Sequence, residues 1–187
     1  MLKIQIILKM HVTIRRSMDK QAIREKALAK RKTIKDIEQI EMTEAYLKRL
    51  TNHEIFVEAK TVGLYYPIQE EMNLLSMIEQ YPNKSFYMPN IEDNHIVYRR
   101  INDLSELHPA KFGLKEVKQD AEAISDCDLF IIPCVATAGL LRIGYGKGYF
   151  DQYLKDKKGY KLGITYPCLK FETIEKAPHD ILLDEVL

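Results

Sequence analysis

The chain has 187 residues, 46% apolar and 29% charged, the balance of an ordinary globular protein and not of a disordered or fibrous one. Its 28 basic and 27 acidic residues leave a net charge of +1, so no global field favours nucleic acid or an anionic membrane surface, and any anion site must be local. The length suits one compact domain with a cleft.

Residues 2–12 are partly apolar, but Lys3, Lys9 and His11 interrupt them. The run is also far shorter than the roughly 20 residues that span a bilayer, and it has no cleavage site of a secretory signal. Residues 1–17 are read as an N-terminal extension, open to disorder, with Met18 an alternative start and 18–187 a single domain. From 18 to about 50, Ala22, Ile23, Ala27, Ile37, Ile40, Ala45 and Leu47 recur near helical spacing, and Asp19 is the expected N-cap. Thr33, ahead of Asp36 and Glu38, predicts a break at 32–35 and hence two consecutive helices.

Residues 61–66 (TVGLYY) predict a strand stopped by Pro67, and 73–80 a helix ended by Pro82. A strand is expected at 85–88, stopped by Pro89, and another at 95–101 (HIVYRRI) after the polar turn at 92–94. Residues 104–117, with Pro109 and Gly113, read as an irregular loop. The run 128–133 (DLFIIP) is continuous and not alternating, as a central strand covered on both faces requires. A glycine-rich turn at 139–148, a helix at 149–157 and a strand at 161–166 follow. Strands alternating with helices predict an α/β fold, a single layered α/β/α domain with a mostly parallel central sheet. The three cysteines, Cys127, Cys134 and Cys168, lack the spacing of a zinc or CxxC site, so reduced, mostly buried thiols and a cytoplasmic location are expected.

The strongest local signal is the run RIGYGKGYFD at 142–151, between the buried strand and a helix. Gly144, Gly146 and Gly148 strip side chains from alternate positions, so backbone N–H groups can approach a phosphate, and the helix start adds a favourable dipole. Arg142 and Lys147 supply the positive charge a polyphosphate needs. The GxGxG spacing is neither a Walker A loop nor a dinucleotide fingerprint. On spacing alone, a tight glycine turn with solvated basic residues accounts for it as well.

DLFIIP, a short loop, RIGYGKGYFDQYL, KLGITY and a late PHD occur in an order that resembles the 5-formyltetrahydrofolate cyclo-ligase family, from about Asp19 to the C-terminus. The resemblance implies ATP and Mg²⁺ as cofactors and 5-formyltetrahydrofolate, polyglutamylated or not, as substrate, in a monomer with no nucleic-acid or membrane partner. It implies that Lys20 and Arg24 bind nucleotide. Their i, i+4 spacing puts two like charges on one helical face, sensible if an anion lies between them, although a solvated face reads as naturally. It implies that Glu71 binds substrate, with Glu70 one alignment slip away. A carboxylate suits the paired donor edge of a pterin, whereas two exposed loop acids are the bland alternative. It adds Tyr145 and Tyr149 to the substrate contacts of the glycine segment, with Arg142, Lys147 and Tyr149 the catalytic group, and makes Asp151 and Asp180 the magnesium ligands. Two carboxylates suit Mg²⁺, which completes its shell with phosphate and water, yet either could simply cap a helix or turn.

Two departures from the family pattern stand out. The usual Pro-Gly-Val-Ala-Phe-Asp loop reads Pro133-Cys134-Val135-Ala136-Thr137-Ala138, about one residue short before Arg142, and the YYD triplet reads Tyr149-Phe150-Asp151. The implied reaction is ATP-dependent cyclisation of 5-formyltetrahydrofolate to 5,10-methenyltetrahydrofolate with release of ADP and phosphate, through phosphorylation of the formyl oxygen. Two rivals stay open: an α/β enzyme of phosphorylated sugars or coenzyme A esters, and a non-catalytic nucleotide- or folate-binding module.

Overall fold

The computed structural model describes residues 19–187, so the reading of 1–17 as an extension and of Met18 as a start lies outside the described residues. Two helices open the fold, α1 (Lys20–Arg31) and α2 (Asp36–Thr51), with the expected break between them. Asp19 occupies the N-cap position of α1 without a side-chain cap bond. At α2, the Glu38 carboxylate accepts from the Lys35 N–H at 3.3 Å, satisfying one donor that a helix start leaves free. A short helix, α3 (Glu54–Glu58), was not anticipated; the His53 ring accepts from the Ile55 N–H at its start.

The chain then runs through β1 (Thr61–Gly63), α4 (Met77–Gln80), β2 (Ser85–Glu92) and β3 (His95–Ile101). The small ladder β4 (His108–Pro109) with β5 (Lys115–Glu116) follows, then the edge strand β6 (Ala123–Ile124) and β7 (Leu129–Pro133). A hairpin of β8 (Ala136–Ala138) and β9 (Leu141–Ile143), α5 (Tyr149–Leu154), β10 (Tyr160–Ile164) and β11 (Glu185–Val186) complete it. The main sheet has seven strands in the order β11-β10-β7-β1-β2-β3-β6. Every pair from β11 to β2 is parallel, and β3 and β6 are antiparallel additions at one edge.

β7 shows why its sequence is continuously apolar. Leu129 and Ile131 face a cluster with Ile23, Leu50, Phe56 and Met77 from α1 to α4, whereas Phe130 and Ile132 face a second cluster with Leu154 of α5. All four are fully buried, each worth about 1.5–3 kcal/mol of transfer free energy. The sheet is thus covered on both faces, as expected. Asp128 locks the start of β7 to β1, because its carboxylate accepts from the N–H groups of Lys60 and Thr61 and the Thr61 hydroxyl at 2.8–2.9 Å.

Several expected boundaries move: β1 stops at Gly63, α5 at Leu154, and β10 spans Tyr160–Ile164. β2 runs through Pro89. Leu64 N–H donates to the Tyr87 carbonyl, so alternate residues 85, 87 and 89 of β2 point toward β1, which ends at Gly63. The N–H that proline lacks would have pointed past the end of β1 and away from β3, so the β2–β3 ladder continues through Pro89 to Glu92. The helix expected at 73–80 shrinks to α4 because the Asn73 side chain accepts from the Leu75 N–H at 3.1 Å, a turn that competes with helix. The loop at 104–117 contains two 3₁₀ turns and the β4–β5 ladder.

Gly159 leads into β10 against the β7 entry. A Cβ there would lie 1.8 Å from the Cys127 carbonyl oxygen and 2.9 Å from the Phe130 ring. Gly159→Ala is therefore expected to lower unfolding stability by about 3 kcal/mol or more, read as a drop in the urea midpoint; an unchanged midpoint contradicts this packing. Among the described residues no helix is long and apolar enough to cross a membrane. Cys127 and Cys134 are buried and Cys168 is exposed, all as free thiols. Burial pushes Cys127 and Cys134 up to about 12, so both stay protonated and unreactive near neutral pH.

Candidate functional site

A cleft of about 400 Å³ opens beyond the C-terminal ends of β1 and β7, the end of a parallel sheet where α/β proteins bind ligands. Lys20, Arg24, Glu71, Arg142, Gly144, Tyr145, Gly146, Lys147, Gly148, Tyr149, Asp151 and Asp180 all line it. Every residue singled out from the sequence is thus brought to one cavity. Glu70 is exposed and outside the lining, which separates it from Glu71.

The glycine loop forms one wall. Gly146 and Gly148 take positive φ of 93° and 72°, and a Cβ on Gly146 would press the Arg24 guanidinium at 3.3 Å. Arg24 Nε donates to the Gly144 carbonyl at 2.7 Å, so α1 grips the loop through its backbone. Among the described residues no backbone carbonyl outside the helices and strands takes an N–H from 144 to 148, so those donors are open to solvent or a ligand. α5 has only six residues, so its dipole adds less than the sequence suggested, and the loop amides with the cations carry the positive potential.

Arg142 is 6% exposed. Its Nη2 donates to Asp151 at 2.9 Å and its guanidinium lies 5.3 Å from the centroid of the Phe150 ring. Gly144 makes room for it, since a Cβ there would meet Arg142 Nη1 at 2.9 Å. Lys147 differs: it is exposed, and its ammonium stands 6.0 Å from the ring centroid of Phe112. Phe112 is 64% exposed at the mouth of the cleft with a left-handed φ of 61°, uncommon for a residue with a Cβ. Lys20 pairs with Asp180, whose carboxylate also accepts from the Ala177 N–H at 2.5 Å. Burial pushes the Asp180 carboxyl up, but Lys20 and that N–H outweigh it and hold it below its ordinary range.

The opposite wall is apolar, with Pro89, Ile91, Ile96 and Leu114, and at its base lies one carboxylate, Glu71. Gln69 and Glu70 take left-handed φ of 47° and 58°, turning the chain so that the Glu71 N–H donates to the Ile68 carbonyl while the Glu71 carboxylate accepts from the Ile68 N–H, both at 3.1 Å. Tyr145 donates its hydroxyl to Glu71 Oε1 at 3.1 Å. Burial pushes Glu71 up to about 7 in spite of the Ile68 N–H, Arg31 and Tyr145, which act in the opposite direction.

One participant escaped the sequence reading. Arg31, in the short basic run 30–32, is 1% exposed. It donates to the Tyr145 hydroxyl at 3.1 Å, to the Gln69 carbonyl at 3.3 Å and to the Cys134 carbonyl at 3.0 Å. Its signal was present: it stands two helical turns after Arg24, in line with the buried Ile23 and Ala27.

A cleft with a cationic, amide-lined wall and an apolar wall ending in one buried carboxylate can hold an anionic chain beside a flat ring that donates hydrogen bonds. The chain belongs to the 5-formyltetrahydrofolate cyclo-ligase family, whose model matches residues 16–187. A Mycoplasma genitalium protein named 5-formyltetrahydrofolate cyclo-ligase is 28% identical over 179 residues, 91% of this chain and 98% of that one. The NMR structure of Aquifex aeolicus 5,10-methenyltetrahydrofolate synthetase superimposes with a TM-score of 0.82 at 31% identity, covering 90% of this chain and 89% of that one. A Mycoplasma pneumoniae 5,10-methenyltetrahydrofolate synthetase shares the fold, with a TM-score of 0.69 at 24% identity over 90% of this chain and 98% of that one.

Proposed function

We propose that residues 18–187 form a single cyclo-ligase domain that closes 5-formyltetrahydrofolate to 5,10-methenyltetrahydrofolate at the expense of ATP. The observation that carries this reading is one cleft lined by Lys20, Arg24, Arg142, Lys147 and the glycine loop on one side and by buried Glu71 on the other. Tyr145 links the two sides, since its own loop carries the open amides while its hydroxyl meets Glu71.

In this reading Lys20, Arg24, Arg142, Lys147 and the loop amides hold the triphosphate, and Glu71 with Tyr145 and Tyr149 holds the pterin. The formyl oxygen attacks the γ-phosphorus and ADP leaves. N10 then attacks the activated formyl carbon, the carbon–oxygen bond breaks, N10 gives up its proton, and phosphate departs with the former formyl oxygen. No protein nucleophile is needed. Alignment and charge neutralisation carry the rate, as in other phosphoryl transfers.

Asp151 and Asp180 fit Mg²⁺ in donor chemistry: both are hard carboxylates on the lining, each already beside a phosphate-seeking cation. Among the described residues no cluster of three or more His, Cys, Asp or Glu could enclose an ion alone, so a metal here would need phosphate oxygens and water to complete its shell. When bound it would neutralise charge developing on the transferred group. A cytoplasmic monomer that takes free or polyglutamylated folate, without nucleic acid or membrane as partner, completes the proposal; the free thiols and near-zero net charge support it.

The test is an absorbance assay for methenyl-folate with purified protein, ATP, MgCl₂ and 5-formyltetrahydrofolate. Product is expected only with ATP present, lost on adding EDTA and regained with excess Mg²⁺. Ligand binding without ADP release would instead make the protein a non-catalytic module.

A further inference from the structure

Arg31 is a charged side chain that almost no solvent reaches and that is absent from the cavity lining. Burying a guanidinium is costly unless its donors are satisfied. Here the two terminal nitrogens are spent on the turn and loop that build the two walls, Gln69 before Glu71, Cys134 after β7, and Tyr145 of the glycine loop, while Nε is buried with no partner among the described residues. The same helix sends Arg24 to the Gly144 carbonyl, so α1 holds consecutive loop residues, one by its backbone and one by its hydroxyl.

The distances define a relay. Arg31 Nη1 is 3.8 Å from Glu71 Oε1, outside hydrogen-bond reach, but 3.1 Å from the Tyr145 oxygen, which is itself 3.1 Å from Glu71 Oε1. A tyrosine hydroxyl has one proton. Arg31 occupies an oxygen lone pair as donor, and of the two acceptors left for the Tyr145 proton the Glu71 carboxylate at 3.1 Å is nearer and more negative than the Ile68 carbonyl at 3.4 Å, so the chain is polarised from cation to anion. Glu71 Oε2 meanwhile accepts from the Ile68 N–H, and a carboxylate retains acceptor sites on both oxygens for a ligand.

We propose that Arg31 is a positioning residue: through Tyr145 it favours the ionised form of Glu71 and keeps it aimed into the cleft, and so sets affinity for the folate ring without touching it. The proposal rests on the reading of Glu71 as the pterin's partner. The groups that face Glu71 are Arg31 from α1, Tyr145 from the glycine loop, Tyr65 after β1, Cys134 after β7 and Tyr166 after β10. Burial raises both Tyr65 and Tyr145 above their ordinary range and pushes Cys134 and Tyr166 up to about 12, so these four are neutral at pH 7 and Arg31 is the cation among them.

Arg31→Lys keeps the charge and loses the fork. It is expected to raise the folate KM about tenfold, the worth of one charge-assisted hydrogen bond, and to leave the ATP KM within about twofold. The midpoint of the kcat/KM pH profile for folate should rise by about one unit, because Glu71 loses its relay. In a Glu71→Gln background the same substitution should change the folate KM by less than about twofold.

A tenfold effect in both backgrounds, or an unmoved pH midpoint, overturns the proposal and leaves Arg31 a scaffold residue. Should Arg31→Lys fail to fold, Tyr145→Phe removes the relay hydroxyl and must show the same upward midpoint, and an unmoved one counts against the proposal equally. Should the wild type not act on formyl-folate, the function fails separately. The relay is then read from stability, whose Glu71-linked fall with rising pH must extend to higher pH in Arg31→Lys; identical stability profiles refute it.

Discussion

Lys147→Ala is expected to lower kcat with ATP and formyl-folate by about 10²–10³-fold, the loss produced by removing one preorganised donor from a developing charge, while the melting temperature stays unchanged. The asymmetry follows from its surroundings. Lys147 is exposed, and the Phe112 ring beside it is exposed too, so truncation opens no cavity and strands no buried partner. Arg142, by contrast, is buried against Asp151 and Phe150, so its loss would disturb folding and chemistry together. Lys147 is the cleaner probe. Wild-type turnover in Lys147→Ala would remove it from the phosphate site; a large drop in melting temperature would show that it also holds the loop.

Glu71→Gln is expected to cost about 100-fold in kcat/KM for folate, since an amide cannot accept at both oxygens from a ring's donor edge. The loss should appear mainly in the folate KM. Glu71 sits at about 7 against an ordinary 4.5, so in the free enzyme kcat/KM for folate should rise with pH to a midpoint near 7, and Glu71→Gln should flatten that rise. Stability moves the other way. A carboxyl raised on folding binds more protons in the native state between about 4.5 and 7, so its contribution is fully present below 4.5 and is lost as pH rises through 7. Urea unfolding across that window should fall for wild type relative to Glu71→Gln, and parallel curves would mean that Glu71 titrates normally.

What could be read in the sequence divides along the range of the forces involved. DLFIIP announced a central strand because burial on both faces demands apolar residues at every position, and β7 meets that demand with α1–α4 on one side and α5 on the other. Pro89 misled because the direction of an N–H depends on where β1 ends, a property of the sheet and not of β2. The strands β6, β8 and β9 have two or three residues each, too few for any periodicity to register.

The site followed the same division. Lys20 and Arg24 could be placed on one face from helical spacing, and the glycine loop from its composition. Glu71 could not be told from Glu70, because the choice is made by two left-handed residues, Gln69 and Glu70, neither of them glycine. Arg31 was hidden between Lys30 and Lys32, both exposed; its burial depends on Tyr145 and Cys134, more than a hundred positions away. Phe112 at the mouth was equally silent, since a left-handed phenylalanine has no sequence signature.

The account turns on the formyl oxygen leaving as part of phosphate, which requires nucleotide and folate to meet across one cleft. The direct measurement uses 5-formyltetrahydrofolate labelled with ¹⁸O in the formyl group, purified protein, ATP and Mg²⁺, followed by mass spectrometry of the inorganic phosphate. The label is expected in phosphate, about one atom for each methenyl-folate formed. Label recovered in water instead, with unlabelled phosphate, would show that ATP is hydrolysed apart from the ring closure and would contradict the mechanism.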